Sequence, residues 1–228
     1  MAYEEYVFIE LKASRKISGI FTIPEQFVRG RKPAVILAHG AGNGMFQPLL
    51  VHMANVLAEA GYLCLRFNFL YRDEARRSPD SEGVLEATWV RVFEYLRSHP
   101  KYSPSFIVAA GKSLGGRIAS QVAADHLIQP RGLVFLGYPL HPPGRTEMLR
   151  DAHLYRIHAP MLFFTGTKDP FCNLEKLREV LAKVNAVSTL EVIENADHSF
   201  RVPASSGIPE KEVLAGILGK TLSWLKKL

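Results

Sequence analysis

From Pro33 onward, short continuous apolar runs alternate with longer stretches of helical periodicity, and this alternation restricts the fold more than any other feature. The runs cover residues 34–38, 106–110, 133–137 and 161–165, and two further strands, 62–67 and 189–193, carry Arg66 and Glu191 among their apolar residues. An uninterrupted apolar run of five or six residues suits a strand covered on both faces, because an exposed face would show polar alternation. Between the runs lie helical patterns. Residues 48–60 place Leu50, Met53, Ala54, Leu57 and Ala58 on one side and close at Gly61. Residues 84–97 place Leu85, Thr88, Val92, Tyr95 and Leu96 together, and His99-Pro100 ends them. Leu114, Ile118 and Val122 follow at helical spacing, then residues 173–183 and 209–228. Ahead of all this, residues 6–11 and 17–23 read as two strands joined by a turn around Ser14-Arg15. The expectation is one α/β domain over residues 1–228, with no internal repeat or linker. It has a mostly parallel sheet, an N-terminal antiparallel hairpin and helices on both faces.

In such a sheet the loops at the carboxyl ends of the strands gather into the ligand crevice. The strand at 106–110 ends in Gly111-Lys112-Ser113-Leu114-Gly115, and a helical pattern begins at once. Gly-x-Ser-x-Gly between a strand and a helix is the pattern of a nucleophile elbow, a turn so sharp that the serine backbone is strained and its hydroxyl stands clear of the sheet. The strand at 161–165 ends in Gly166-Thr167-Lys168-Asp169, and the strand at 189–193 in Asp197-His198-Ser199. Serine needs a base to take its proton, and a neutral imidazole, with an ordinary pKa near 6.5, can do so at neutral pH. A carboxylate fixes the imidazole tautomer and stabilises the imidazolium. Ser113 is therefore expected as nucleophile, His198 as base and then acid, and Asp169 as the orienting acid. Asp197 and Glu194 are the alternative acids, with Asp197 disfavoured because it adjoins His198.

An oxyanion needs two N–H donors. The backbone of Leu114 is one candidate, and the loop His39-Gly40-Ala41-Gly42 supplies the other, at Ala41 first and Gly42 second. The competing use of this glycine-rich loop, phosphate binding, lacks both G-x-G-x-x-G spacing and a Walker Lys-Ser/Thr. His39 is expected to brace the loop. Met45, Phe46, Tyr138 and Phe171 are candidate walls of a substrate pocket, with Leu140 as a further one.

Charge and composition narrow the partners. The net charge of +6 is spread along the chain, and its densest cluster, Arg72, Arg76 and Arg77, has no recognition-helix or zinc-ligand pattern beside it. A solvated face is expected there, and no specific nucleic-acid partner. No apolar run approaches the roughly 20 residues of a membrane span, and Met1-Ala2-Tyr3-Glu4-Glu5 is too acidic for a signal peptide. Two cysteines, Cys64 and Cys172, cannot form a disulfide framework, so free thiols and a cytoplasmic setting are expected.

The order Ser113, Asp169, His198, together with the His-Gly loop, resembles the α/β-hydrolase superfamily over nearly the whole chain. The small size and Leu65-Arg66-Phe67-Asn68-Phe69 resemble its dienelactone-hydrolase-like branch. Gly115-Gly116-Arg117 and Gly137-Tyr138-Pro139-Leu140-His141-Pro142-Pro143-Gly144 are similar to the testis-expressed-protein and NSL-complex-subunit lineage of that branch. The resemblance implies hydrolysis of a small ester, thioester or similar acyl bond through an acyl-serine, with no metal or organic cofactor. Dienelactone hydrolases use a cysteine where this chain has Ser113, which argues against dienelactone as the substrate. NSL subunits are interaction proteins, so a non-catalytic scaffold is the alternative, and a homodimer or a protein partner stays open. The connection 138–160 is short and polar, so no large helical lid is expected.

Overall fold

The computed structural model describes residues 2–11 and 15–228. Eight strands form one sheet in the order β1-β2-β4-β3-β5-β6-β7-β8. Strands β1 (Tyr3–Glu10) and β2 (Lys16–Ile23) pair antiparallel in the expected hairpin, and Ser14 of its turn lies outside the described residues. β2 runs antiparallel to β4 (Cys64–Phe67), and from there all pairings are parallel through β3 (Ala34–Ala38), β5 (Ile107–Lys112), β6 (Gly132–Leu136), β7 (Met161–Gly166) and β8 (Ser188–Ile193).

The period of two along each strand divides the core into two layers. Ile36, Ala109, Phe135 and Phe163 face the helices α3 (Glu82–Arg97), α4 (Leu114–Ala124) and α5 (Leu174–Leu181). Val35, Leu37, Val108, Val134, Leu162 and Phe164 face α1 (Pro48–Glu59) and α6 (Glu210–Leu225). Strands β3, β5, β6 and β7 are buried along their full lengths, as their unbroken apolar runs require. Between β6 and β7 the chain makes only a 3-10 turn, Leu154–Arg156, and no lid.

Two stretches differ from expectation. The polar connection 68–82 contains a one-turn helix, α2 (Leu70–Asp73), with Leu70 and Tyr71 buried. Acidic side chains anchor it: Asp73 accepts from the Ser18 N–H at 2.5 Å and from Asn68 at 2.8 Å, and Asp80 accepts from the Tyr71 N–H at 2.9 Å. Four residues are too few to carry a periodic signal. Strand β5 also starts one residue late and runs through Lys112, because Gly111 still pairs with Ala38 and Phe135.

Candidate active site

The three loops expected to converge do so at the carboxyl edge. Ser113 follows β5 directly and adopts φ 50°, ψ −117°, a conformation that a side-chain-bearing residue holds only under constraint. Its neighbours make the turn sterically possible. A Cβ on Gly111 would lie 2.4 Å from the Gly116 nitrogen, and one on Gly115 would lie 2.6 Å from the His39 carbonyl oxygen. Any larger residue at either position would force α4 off the sheet. Trp89 fastens this junction by donating its indole N–H to the Gly115 carbonyl at 3.0 Å.

Ser113 Oγ lies 2.9 Å from His198 Nε2, and His198 Nδ1 lies 2.7 Å from Asp169 Oδ2. An ionised carboxylate only accepts, so Nδ1 carries the hydrogen and Nε2 is free to accept from the serine hydroxyl. The other Asp169 oxygen accepts the Phe171 N–H at 2.8 Å, and its side chain is fully buried. The Phe171 ring lies against the His198 imidazole, centroids 4.5 Å apart. The competing acids are engaged elsewhere. Asp197 accepts from the N–H groups of Ser199 and Arg201 at 2.7 and 2.9 Å, which shapes the turn carrying His198. Glu194 accepts from Thr167. That turn passes so close to β7 that a Cβ on Gly166 would sit 2.1 Å from the Ala196 carbonyl oxygen, so only glycine admits it.

His39 is fully buried and neutral, because burial pushes its imidazole down to about 4. Its Nδ1–H donates to the Gly40 carbonyl at 2.8 Å, and Nε2 accepts the Phe69 N–H at 3.1 Å. Both nitrogens are thus spent on bracing the loop after β3, as its place in the sequence suggests. Ala41 is exposed at the head of that loop, and Leu114 opens α4. Among the described residues neither of their N–H groups meets a protein acceptor. Leu114 offers its orphan donor at a helix start, a place that suits a developing negative charge.

The expected pocket walls divide. Phe171 lies at the site and Phe46 is exposed, whereas Met45 and Tyr138 are buried. Met45 is buried in a segment pinned by Asn68, which accepts its N–H, and by Arg66, which donates to its carbonyl. Tyr138 packs edge-on against Phe135 and Phe163, and its hydroxyl donates to the Arg150 carbonyl at 2.8 Å. The connection after β6 folds inward over α4 and takes Tyr138 and Leu140 into the core. The arginine cluster is partly neutralised, since Arg76 pairs with Glu74 and Asp80. Both cysteines are buried free thiols, with Cys172 pushed up to about 12 by burial, so neither is poised as a nucleophile.

One residue at this site escaped the sequence reading. Lys112, the central x of Gly-x-Ser, is 3% exposed and its Nζ has no hydrogen-bond partner among the described residues. A lysine closing a strand buried along its whole length was the available signal.

Residues 31–226 match the model of the α/β-hydrolase domain family. Among solved structures, a dienelactone hydrolase from Anabaena variabilis aligns over 99% of this chain and 98% of its own, with TM-score 0.77 and 22% identity. A lidless α/β serine hydrolase from Xanthomonas campestris aligns over 98% and 94%, with TM-score 0.72 and 18% identity. A Mycobacterium tuberculosis protein named provisionally as a phosphoribosyl transferase is 28% identical over 191 residues, 83% of this chain. This chain spans only 40% of that relative's length. No helix of the described residues is long and apolar enough to cross a membrane.

Proposed function

Because the chain belongs to the α/β-hydrolase domain family, we propose that it is a serine hydrolase that cleaves a small ester, thioester or related acyl bond. Ser113 Oγ attacks the acyl carbon while its proton passes to His198 Nε2. The Nδ1–H bond to Asp169 steadies the imidazolium that results. The oxygen that gains the negative charge is received by the N–H groups of Leu114 and Ala41. Collapse expels the leaving group, which takes the proton from Nε2 and leaves an acyl-Ser113. Water, deprotonated by His198, repeats the sequence and restores the free serine. No step calls for a metal or an organic cofactor.

The observation that carries this reading is the hydrogen-bonded chain from a strained Ser113 through His198 to a buried Asp169, 2.9 and 2.7 Å in its two links. The lidless carboxyl edge favours a small acyl substrate over an interfacial lipid. The finer placement, in the testis-expressed-protein and NSL-subunit lineage, rests on Gly115-Gly116-Arg117 and the Gly137–Gly144 motif. A single such domain over 1–228 is supported by one sheet that joins the first strand to the last. The phosphoribosyl transferase name belongs to a protein of which the matched part is the smaller share.

A fluorophosphonate probe is expected to label the wild-type protein and to leave Ser113→Ala unlabelled. Absence of labelling at neutral pH would overturn the reading and leave the non-catalytic scaffold in its place.

A further inference from the structure

Lys112 is a buried charged group at the candidate site that the proposed chemistry leaves unused. Its side chain runs from the end of β5 beneath the loop after β3, where a Cβ on Gly40 would lie 3.6 Å from its Cγ. The ammonium ends beside Gly137. A Cβ placed there would lie 3.0 Å from Lys112 Nζ and 3.3 Å from His198 Nδ1, so the two nitrogens flank one small space behind the imidazole. The Phe200 ring lies 5.7 Å below Nζ. The charged and titratable groups facing it are Asp169, from the loop after β7, and Asp197 and His198, from the loop after β8.

We propose that Lys112 is a positioning residue of the Ser113–His198–Asp169 relay, its buried ammonium keeping His198 neutral and competent as a base. The proposal rests on the serine-hydrolase reading. A buried cation without a hydrogen-bonding anion is unfavourable, and active sites are where such groups collect. At about 6 Å and an effective dielectric of about 20, one cation opposes a second by more than one pK unit. Lys112 therefore opposes the imidazolium that Asp169 favours, and the balance leaves Nε2 free to accept at lower pH. Burial pushes the Lys112 ammonium down to about 8 against the pull of Asp169 and Asp197, so it remains charged at and below neutral pH.

The test compares wild type, Lys112→Met and Lys112→Arg by two readouts: kcat/KM against pH with p-nitrophenyl acetate, and the imidazole titration of His198 by NMR. Removing the cation should move both acid midpoints upward together by about one pH unit or more. Lys112→Arg, which keeps the charge, should bring them back toward wild type. A His198 midpoint equal in wild type and Lys112→Met would overturn the proposal, as would Arg behaving like Met. If wild type hydrolyses nothing and takes no fluorophosphonate, the underlying reading fails, while the imidazole titration still reports on the Lys112–His198 coupling. Should Lys112→Met not fold, lysine Nζ NMR of the wild type decides. One lysine must titrate below the others and shift the His198 resonances as it does, and its absence overturns the proposal.

Discussion

Among the described residues two serine–histidine contacts have nearly equal length, and their contrast separates the proposed catalytic pair from a packing contact. Ser113 Oγ and His198 Nε2 are 2.9 Å apart, and Ser120 Oγ and His153 Nε2 are 2.8 Å apart. Ser120 lies inside α4, fully buried, and donates its hydroxyl hydrogen to the Arg117 carbonyl at 2.6 Å, the local bond that helical serines commonly make. His153 meets Tyr138 as well, and burial with the nearby Arg117 pushes it down to about 4. Among the described residues it has no carboxylate partner for its other ring nitrogen. Ser113 sits at a strand end in a strained turn, half-buried, with its histidine held by Asp169. Distance between the two side chains is common to both pairs. Access, backbone strain and the third group distinguish them.

The largest expected effect lies in the serines. Ser113→Ala should lower kcat/KM by about 10⁴-fold or more. Ser120→Ala should stay within about threefold of wild type and lower Tm by about 2–4 °C, the loss of one buried hydrogen bond. Comparable losses of activity in both variants would erase the contrast.

Next comes the third group. Asp169→Asn should reduce kcat by about 10³- to 10⁴-fold with Tm little changed, because the amide can donate to Nδ1 and select the wrong tautomer. His153→Gln should do the reverse, costing about 1–2 kcal/mol of stability while kcat/KM holds within about threefold. Steady-state kinetics and thermal melts on the two variants side by side decide the point.

The smallest effect is in pH. His39 and His153 are both held near 4 in the folded chain, below the 6.5 of an exposed imidazole. The folded state therefore binds their protons less readily than the unfolded state. Their contribution is fully present above about pH 6.5 and is lost as pH falls from there toward 4. Tm should decline over that window, and His153→Gln should make the decline shallower. An equally steep decline in His153→Gln would place the acid sensitivity elsewhere.

Much of this was legible in the chain before folding. The continuous apolar runs of β3, β5, β6 and β7 specified strands covered on both sides, and the strand–helix alternation specified parallel order. Ser113, Asp169 and His198 were legible because each stands just past a strand whose end could be read. The same reading placed His39 as a brace, since a residue at the head of a glycine loop has little else to bond. Helix α2 was not legible, because the carboxylates of Asp73 and Asp80 that hold it reach partners through space.

Side-chain direction after the strand ends was decided only by the tertiary structure. Tyr138 and Phe171 are both aromatics on carboxyl-edge loops, yet one fills the core under Arg150 and the other lies on the His198 ring. Lys112 is the sharpest instance. Its position beside Ser113 is plain in the sequence, but its burial between Gly137, Phe200 and His198 depends on two loops, after β6 and after β8, that are distant along the chain. Periodicity is a local property and survives in the sequence. The field at a buried nitrogen is a sum over neighbours in space, and only folding brings those neighbours together.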